Sequence, residues 1–217
     1  MAPCKPRSVV TGRGFFLRLV SALGISKKPR YADGMQLLLL DRDGVINHDS
    51  ENYIRSLADW RPIDGSVEAI ARASQNGFRV AVVTNQSGLA RGYFDEATLA
   101  EIHNELRQRV AALGGTISDI IYCPHGPDDG CDCRKPAPGM VLELLSRFNS
   151  GAENAVMVGD SLRDLQAADR AGVQPILVRT GNGEKTAAVG QLPAKTKVFA
   201  DLAAVVDDLL AKQRAVQ

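Results

Sequence analysis

Four consecutive leucines, Leu37–Leu40, end abruptly at the charged sequence Asp41-Arg42-Asp43-Gly44. A short, continuous apolar run of this kind is typical of a strand buried on both faces, as in parallel sheets covered by helices. Open α/β sheets bind their ligands beyond the carboxyl ends of such strands, which is where Asp41 and Asp43 fall. Two carboxylates held so close favour a hard cation such as Mg²⁺. Taken alone, the same residues also describe an acidic turn after a core strand.

Strands and helices alternate along the rest of the chain. Further strands are predicted at residues 78–83, 117–122, 154–158, 174–178 and 198–200. Helices are predicted at residues 65–76, about 95–113, 138–149, 162–171 and 201–212. His103 falls inside the second of these helices, and we expect it to be a surface or boundary residue. This alternation predicts an α/β protein with a doubly wound, mainly parallel, Rossmann-like sheet.

Composition and charge narrow the class of protein. The 217 residues are 45% hydrophobic and 24% charged, as expected of a soluble protein with one main domain. The formal net charge is +1, but seven Lys/Arg and one acidic residue lie in residues 1–34, which leaves 19 basic and 24 acidic residues elsewhere. An acidic body argues against a nucleic-acid-binding core, and no apolar run approaches the length that spans a bilayer.

Residues 1–34 form a basic extension before the main domain, residues 35–217. Within the extension, residues 14–23 are a basic amphipathic candidate, which suits a membrane-surface helix or an organellar transit peptide. The alternative is a tail without function, because Met35 stands immediately before the first strand. We assign no function to this segment.

Chemically reactive side chains follow the other predicted strands. Thr84 follows the second strand, Lys135 lies in the loop after the third, and Asp160 and Asp164 follow the fourth. In a doubly wound sheet these positions converge at one edge. Together with Asp41, they make an apparatus for phosphoryl transfer through an aspartyl-phosphate, assisted by Mg²⁺.

These four motifs, in this order and each after a predicted strand, resemble the haloacid dehalogenase superfamily of phosphatases over about residues 35–215. The resemblance implies that Asp41 is the nucleophile and also binds Mg²⁺. Asp43 would be the acid that protonates the departing alkoxide and then the base that activates water, while its backbone carbonyl completes the metal shell.

The same resemblance assigns roles to the other motifs. Asp160 would be the remaining carboxylate ligand of Mg²⁺, with Asp164 behind it. Thr84 and Lys135 would hold and neutralise the transferring phosphoryl group.

A second metal site is indicated by Cys123, His125, Cys131 and Cys133, which lie within eleven residues. Three thiolates and an imidazole suit tetrahedral Zn²⁺, and four protein ligands leave no open position, so the site is expected to be structural. The alternative is a disulfide with a spare thiol. Because Arg134 and Lys135 follow the last ligand directly, zinc would rigidify the loop that positions them.

The zinc loop and the local sequences around Thr84 and Cys133 are similar to a subgroup of the superfamily that hydrolyses small phosphorylated metabolites. The resemblance implies a substrate of the heptose bisphosphate type, whose 7-phosphate is removed during synthesis of the ADP-heptose precursor of lipopolysaccharide. No insertion of the size of a large cap domain is present, so recognition would rest on three loops, residues 47–61, 86–93 and 123–135. The expected substrate-binding residues, most of them in these loops, are Asn47, Asp49, Tyr53, Asn85, Gln86, Ser87, Arg134 and Ser161.

Within that assignment Asn85, Gln86 and Ser87 would contact the sugar, and Arg134 would bind the second phosphate. Histidinol phosphate, a DNA 3′-phosphate and a non-catalytic sugar-phosphate-binding role stay open as alternatives. We expect a monomeric cytoplasmic enzyme with Mg²⁺ and Zn²⁺, whose partner is a small phosphorylated sugar rather than nucleic acid or a membrane.

Overall fold

The computed structural model describes residues 7–8 and 36–215 and places the leucine run at the centre of a sheet. The strands of the described part are β1 (Arg7–Ser8), β2 (Leu37–Leu40), β3 (Arg79–Asn85), β4 (Asp119–Cys123), β5 (Ala155–Gly159), β6 (Gln174–Val178) and β7 (Lys197–Phe199). Their order across the sheet is β1-β4-β3-β2-β5-β6-β7. Strands β2 to β7 pair in parallel, and β1 adds to β4 in the antiparallel direction. The mainly parallel sheet predicted from the sequence is confirmed.

Helices cover both faces of the sheet. They are α1 (Ser66–Gln75), α2 (Glu96–Ala112), α3 (Gly139–Phe148), α4 (Leu162–Arg170), α5 (Gly183–Val189) and α6 (Leu202–Ala215), with 3₁₀ turns at Leu57–Asp59 and Ala152–Asn154. No helix in the described part of the chain has both the length and the apolar character needed to cross a bilayer.

The two faces explain why β2 is leucine at every position. Leu38 and Leu40 pack into the apolar core formed with α1, α2 and α6, while Leu37 and Leu39 pack into the core formed with α3 and α4. All four side chains are buried, and complete burial of a leucine contributes about 1.5–3 kcal/mol. A central strand with helices on both sides therefore requires apolar residues on both of its faces.

One helix and one strand of the described part were not predicted from the sequence. Helix α5 escaped prediction because its one buried residue is Gly183, so it has no apolar face to detect. Strand β1 lies within the basic extension, whose residues 14–23 are outside the described residues. Strand β3 also continues past the predicted residues 78–83 to include Thr84 and Asn85, which places both side chains at the functional edge of the sheet.

Candidate active site

The carboxyl ends of β2, β3 and β5 and the loop after β4 surround one cavity of about 400 Å³. Asp41 follows β2, Thr84 lies near the end of β3, and Asp160 follows β5. Lys135 enters from the loop after β4 and Asp164 from the first turn of α4. The structure thus brings together the side chains that the sequence placed at separate strand ends.

Three buried carboxylates form the floor of the cavity. Asp41, Asp160 and Asp164 each offer an oxygen within 4.8 Å of those of the other two. Burial, followed by the neighbouring charge of Asp164, raises the pKa of Asp41 well above its usual value. The same two causes raise the pKa of Asp160 to about 6. The protein therefore confines negative charge at a cost that a bound cation would offset.

Lys135 is the buried cation among these carboxylates, and 2% of its surface is exposed. Its Nζ forms ion pairs with Asp41 Oδ1 at 2.9 Å and with Asp164 Oδ1 at 2.7 Å, and it donates a hydrogen bond to the Val83 carbonyl at 2.8 Å. Burial lowers the pKa of Lys135, but Asp164 and Asp41 outweigh it and raise the pKa above the usual value. One ammonium against three ionised carboxylates leaves two negative charges, which match one divalent cation of the Mg²⁺ type.

The Asp43 carboxylate faces a different set of groups. It accepts hydrogen bonds from Arg42 Nε at 3.1 Å and Nη2 at 2.9 and 3.0 Å, from Asn47 Nδ2 at 2.9 Å and from Gln86 Nε2 at 3.0 Å. Because every one of these partners is a donor, the arrangement describes the ionised carboxylate. Asn47 is fully buried behind Asp43 and does not line the cavity, so its contact is with Asp43.

The end of β3 links the cavity wall to its reactive groups. Gln86 Nε2 donates to Thr84 Oγ1 at 2.8 Å as well as to Asp43. Asn85 exchanges two hydrogen bonds with the backbone of Lys135, at 3.1 and 3.0 Å. Both amides line the cavity, and their hydrogen bonds also fix Lys135 and Asp43 in place.

The loop after β6 is a part of the site that the sequence reasoning missed. The Asn182 backbone donates to Asp160 Oδ2 at 2.8 Å and its side chain donates to the same oxygen at 3.2 Å, while Thr180 Oγ1 donates to the Gly44 carbonyl at 2.7 Å. Gly44 and Gly181 both have positive φ, and a Cβ on Gly181 would lie 2.5 Å from Gly44 Cα. The fifth predicted strand, which is β6 in the structure, is followed by polar residues at the same edge of the sheet, and this pattern could have identified the loop.

The rim of the cavity carries the remaining predicted substrate-binding residues. Those that line it are Asp49, Tyr53, Ser87, Arg134 and Ser161, together with Arg91 and Arg163, which were not predicted. Tyr53 packs edge-on against Tyr93 with ring centroids 5.0 Å apart, which joins two of the three expected recognition loops. Ser161 Oγ donates to Asp164 Oδ2 at 2.6 Å.

Cys123, His125, Cys131 and Cys133 form a compact cluster beside this cavity. The sulfur of Cys123 lies 3.7 Å from that of Cys131 and 3.3 Å from that of Cys133, and the last two are 3.6 Å apart. A disulfide needs about 2.05 Å, whereas tetrahedral Zn²⁺ with 2.3 Å bonds to sulfur spaces its ligands by about 3.8 Å. The cluster fits a tetrahedral metal ion.

The cluster also connects to the cavity. His125 Nδ1 lies 3.4 and 3.3 Å from the sulfurs of Cys123 and Cys133. Arg134 Nη1 donates to the His125 carbonyl at 3.2 Å, which ties a cavity-lining arginine to the cluster.

The expectation for His103 was wrong. The side chain is fully buried, with an exposed fraction of 0%, and its Nε2 lies 3.4 Å from Nη1 of Arg42. The sequence signal for α2 placed His103 on a helix, but a single helix does not reveal that the buried side chain of Arg42 reaches toward it from the end of β2.

Comparisons with known proteins agree with this geometry. A family model described as HAD-hydrolase-like matches residues 132–205. The D-glycero-β-D-manno-heptose-1,7-bisphosphate 7-phosphatase of Pseudomonas putida is 54% identical over 176 residues, which are 81% of this chain and 100% of that protein. The enzyme of the same name from Pseudomonas aeruginosa is 55% identical over 175 residues, covering 80% and 97% of the two chains.

Two solved structures extend the agreement to three dimensions. The crystal structure of D,D-heptose 1,7-bisphosphate phosphatase from Bordetella bronchiseptica, complexed with magnesium and phosphate, has a TM-score of 0.81 and 52% identity, covering 82% of this chain and 99% of that one. The corresponding protein from Burkholderia thailandensis has a TM-score of 0.66 and 42% identity, covering 81% and 99%. With this identity over most of both chains, the protein belongs to the D-glycero-β-D-manno-heptose-1,7-bisphosphate 7-phosphatase family of haloacid dehalogenase-like hydrolases.

Proposed function

We propose that this protein removes the 7-phosphate of D-glycero-D-manno-heptose 1,7-bisphosphate in a reaction that depends on Mg²⁺. The observation that carries the proposal is the buried cluster of Asp41, Asp160, Asp164 and Lys135, which carries two negative charges when its carboxylates are ionised and then matches a divalent cation. The Bordetella structure with magnesium and phosphate and the names of the relatives support the same reading.

In the first half of the reaction, a carboxylate oxygen of Asp41 attacks phosphorus and the bond between phosphorus and the 7-oxygen breaks. The leaving alkoxide takes a proton from Asp43, which must enter this step in its acid form. Thr84 and Lys135 face the transferring group and stabilise its charge.

In the second half, ionised Asp43 takes a proton from the water that attacks the aspartyl-phosphate, and this releases inorganic phosphate and restores Asp41. The hydrogen bonds from Arg42, Asn47 and Gln86 suit this basic form of Asp43. Bound at Asp41, Asp160 and the Asp43 carbonyl, Mg²⁺ would neutralise phosphate charge and orient the phosphoryl group; Asp164 would support this set from behind.

The rest of the substrate would meet the cavity rim. Arg91, Arg134 and Arg163 supply three guanidinium groups beside the site proposed for the 7-phosphate, which suits a substrate with a second phosphate. We assign the 1-phosphate to Arg134, because its link to the metal-binding cluster fixes its position. Asp49, Tyr53, Asn85, Gln86, Ser87 and Ser161 would surround the sugar.

We further propose that Cys123, His125, Cys131 and Cys133 hold a structural Zn²⁺. The distances among the sulfurs support a tetrahedral ion, and all four positions would be occupied by protein ligands. Burial raises the pKa of Cys123 to about 11, so zinc binding would displace a proton from this thiol at neutral pH.

The substrate assignment is tested by kcat/KM for three compounds: the heptose 1,7-bisphosphate, a sugar monophosphate and histidinol phosphate, each with and without Mg²⁺. We expect the bisphosphate to be preferred and Mg²⁺ to be required for all three. A preference for histidinol phosphate would overturn the substrate assignment while leaving the phosphatase assignment in place.

A further inference from the structure

Arg42 is a buried charge that the proposed reaction does not use directly. Its side chain is 1% exposed, and its Nε and Nη2 bind the Asp43 carboxylate. A guanidinium buried this deeply must have its donors satisfied in a fixed geometry, since an unpaired buried donor is costly. The orientation of Arg42 therefore sets the orientation of Asp43.

His103 contacts the other end of this guanidinium, with Nε2 3.4 Å from Arg42 Nη1. Arginine offers only donors, so Nε2 must be the acceptor and the proton of the neutral ring must lie on Nδ1. Burial, followed by the charges of Arg42 and Arg107, lowers the pKa of His103 well below its usual value, in keeping with a neutral ring.

Packing alone does not account for a histidine here. The other buried residues of α2 are apolar: Leu99, Ile102, Leu106 and Val110. Nδ1 of His103 is buried without a hydrogen-bond partner among the described residues, so the ring is worse than an apolar side chain as a core filler. What the ring does gain is the contact from Nε2 to Arg42.

We infer that His103 is a positioning residue, which holds the Arg42 guanidinium against Asp43 and so keeps the Asp43 carboxylate aligned with the leaving group and the attacking water. The inference rests on the proposed acid–base role of Asp43. It adds to the site, through Arg42, a residue that does not itself line the cavity.

The variants His103→Leu, His103→Gln and His103→Asn separate this role from packing. Leucine fills the space without an acceptor, the amide oxygen of glutamine reaches about the position of Nε2, and that of asparagine stops near Nδ1. We expect kcat/KM for the heptose bisphosphate to fall at least tenfold in the leucine and asparagine variants and to recover to within about threefold in the glutamine variant.

Two further measurements, one with a second substrate and one in a second variant, distinguish a positioning role from a purely structural one. The loss in the leucine variant should be at most about threefold with p-nitrophenyl phosphate, because this leaving group scarcely needs an acid, and kcat/KM reports the first half of the reaction. In an Asp43→Asn background, His103→Leu should change kcat/KM less than twofold, since the group it positions has been removed. The control is Leu106→Ala, which damages the same core and should lower the melting temperature without changing the ratio between the two substrates.

An equal loss for both substrates in the leucine variant would overturn the inference, as would an undiminished effect of His103→Leu in the Asp43→Asn background. It would also be overturned if the glutamine variant were no more active than the asparagine variant, or if all three variants kept full activity. A wild-type protein without phosphatase activity would instead refute the proposed function itself.

Discussion

At the scale of single residues, the site is defined by charges that are buried before any substrate arrives. Lys135 satisfies Asp41 and Asp164, but Asp160 receives its hydrogen bonds from the neutral groups of Asn182. This difference explains why the pKa of Asp160 rises to about 6, while Lys135, working against burial, holds the pKa of Asp164 below its usual value. Asp160 therefore lacks the compensating cation that Asp164 has, and Asp41, whose pKa is also raised well above its usual value, shares the need for one.

This arrangement predicts that ionised Asp160 lowers the free energy of unfolding of protein without Mg²⁺. The pKa of Asp160 is about 6 in the folded state against 3.8 for an ordinary aspartate, so the unfolded state loses its proton first as pH rises. Asp160 accordingly lowers the free energy of unfolding little below pH 4, progressively more as pH rises toward 6, and by a constant amount above it. Asp160→Asn should then stabilise magnesium-free protein by about 2–3 kcal/mol at pH 7.5 and by little at pH 4.

The measurement is the free energy of unfolding in urea at both pH values, without chelator so that the cysteine cluster keeps its metal. Asp169→Asn is the matched control, because it removes the same charge from an exposed position on α4. Equal effects of the two substitutions, or destabilisation by Asp160→Asn at pH 7.5, would contradict the account of crowded charge.

A second prediction at this scale concerns the rim. Arg134→Ala should lower kcat/KM for the heptose bisphosphate ten- to a hundredfold, the equivalent of a charged hydrogen bond of about 1.5–3 kcal/mol, and should affect a sugar monophosphate much less. Lys185→Ala removes a positive charge from an exposed position outside the cavity and should affect neither substrate. Equal losses on both substrates in Arg134→Ala would remove Arg134 from the second-phosphate site.

At the scale of elements, the site depends on loops that press against one another. The loop after β6 packs onto the turn after β2, with Gly181 against Gly44 and Asp160. A Cβ on Gly181 would approach Asp160 Oδ2 to 2.3 Å and Gly44 Cα to 2.5 Å. Close approach of two backbones, rather than the turn alone, is what requires glycine here.

Gly190 makes this claim testable, because it also has positive φ but a Cβ there would meet nothing within 4 Å. Gly190→Ala should cost about 1–2 kcal/mol of stability from backbone strain, with kcat/KM unchanged. Gly181→Ala should cost more and should also lower kcat/KM and the affinity for Mg²⁺, since it must displace Asp160 or the β2 turn. We would measure thermal unfolding, phosphatase activity and Mg²⁺ titration for both; matching behaviour of the two variants would refute the packing argument.

The metal-binding loop makes a separate prediction at this scale. Purified protein should contain about one Zn²⁺ per chain, and Cys133→Ser should lower both zinc content and activity because Arg134 and Lys135 follow directly in the chain. Cys4→Ser, which changes the one cysteine of the sequence outside this cluster, should leave both unchanged. Elemental analysis that finds no zinc in wild-type protein prepared without chelators would contradict the proposed site.

At the scale of the whole molecule, the sequence predicts those features that depend on local pattern. The run Leu37–Leu40 and the apolar runs like it predict buried strands with helices on both faces of the sheet. They also predict that the polar strand ends meet at one edge, and the structure confirms that they do. Individual side-chain contacts between residues far apart in the chain were not predictable. The Arg42–His103 contact joins residues 61 positions apart, and the Thr180–Gly44 bond joins residues 136 apart. Neither leaves a periodic signal in the sequence.

The central claim is that Asp41 removes the phosphate at position 7, and the most direct test is to identify the products by phosphorus NMR. With Mg²⁺ and heptose 1,7-bisphosphate, wild-type protein should yield inorganic phosphate and heptose 1-phosphate, and Asp41→Asn, nearly identical in shape but unable to attack phosphorus, should yield neither. Formation of heptose 7-phosphate, or a tenth or more of wild-type kcat in Asp41→Asn, would contradict the account.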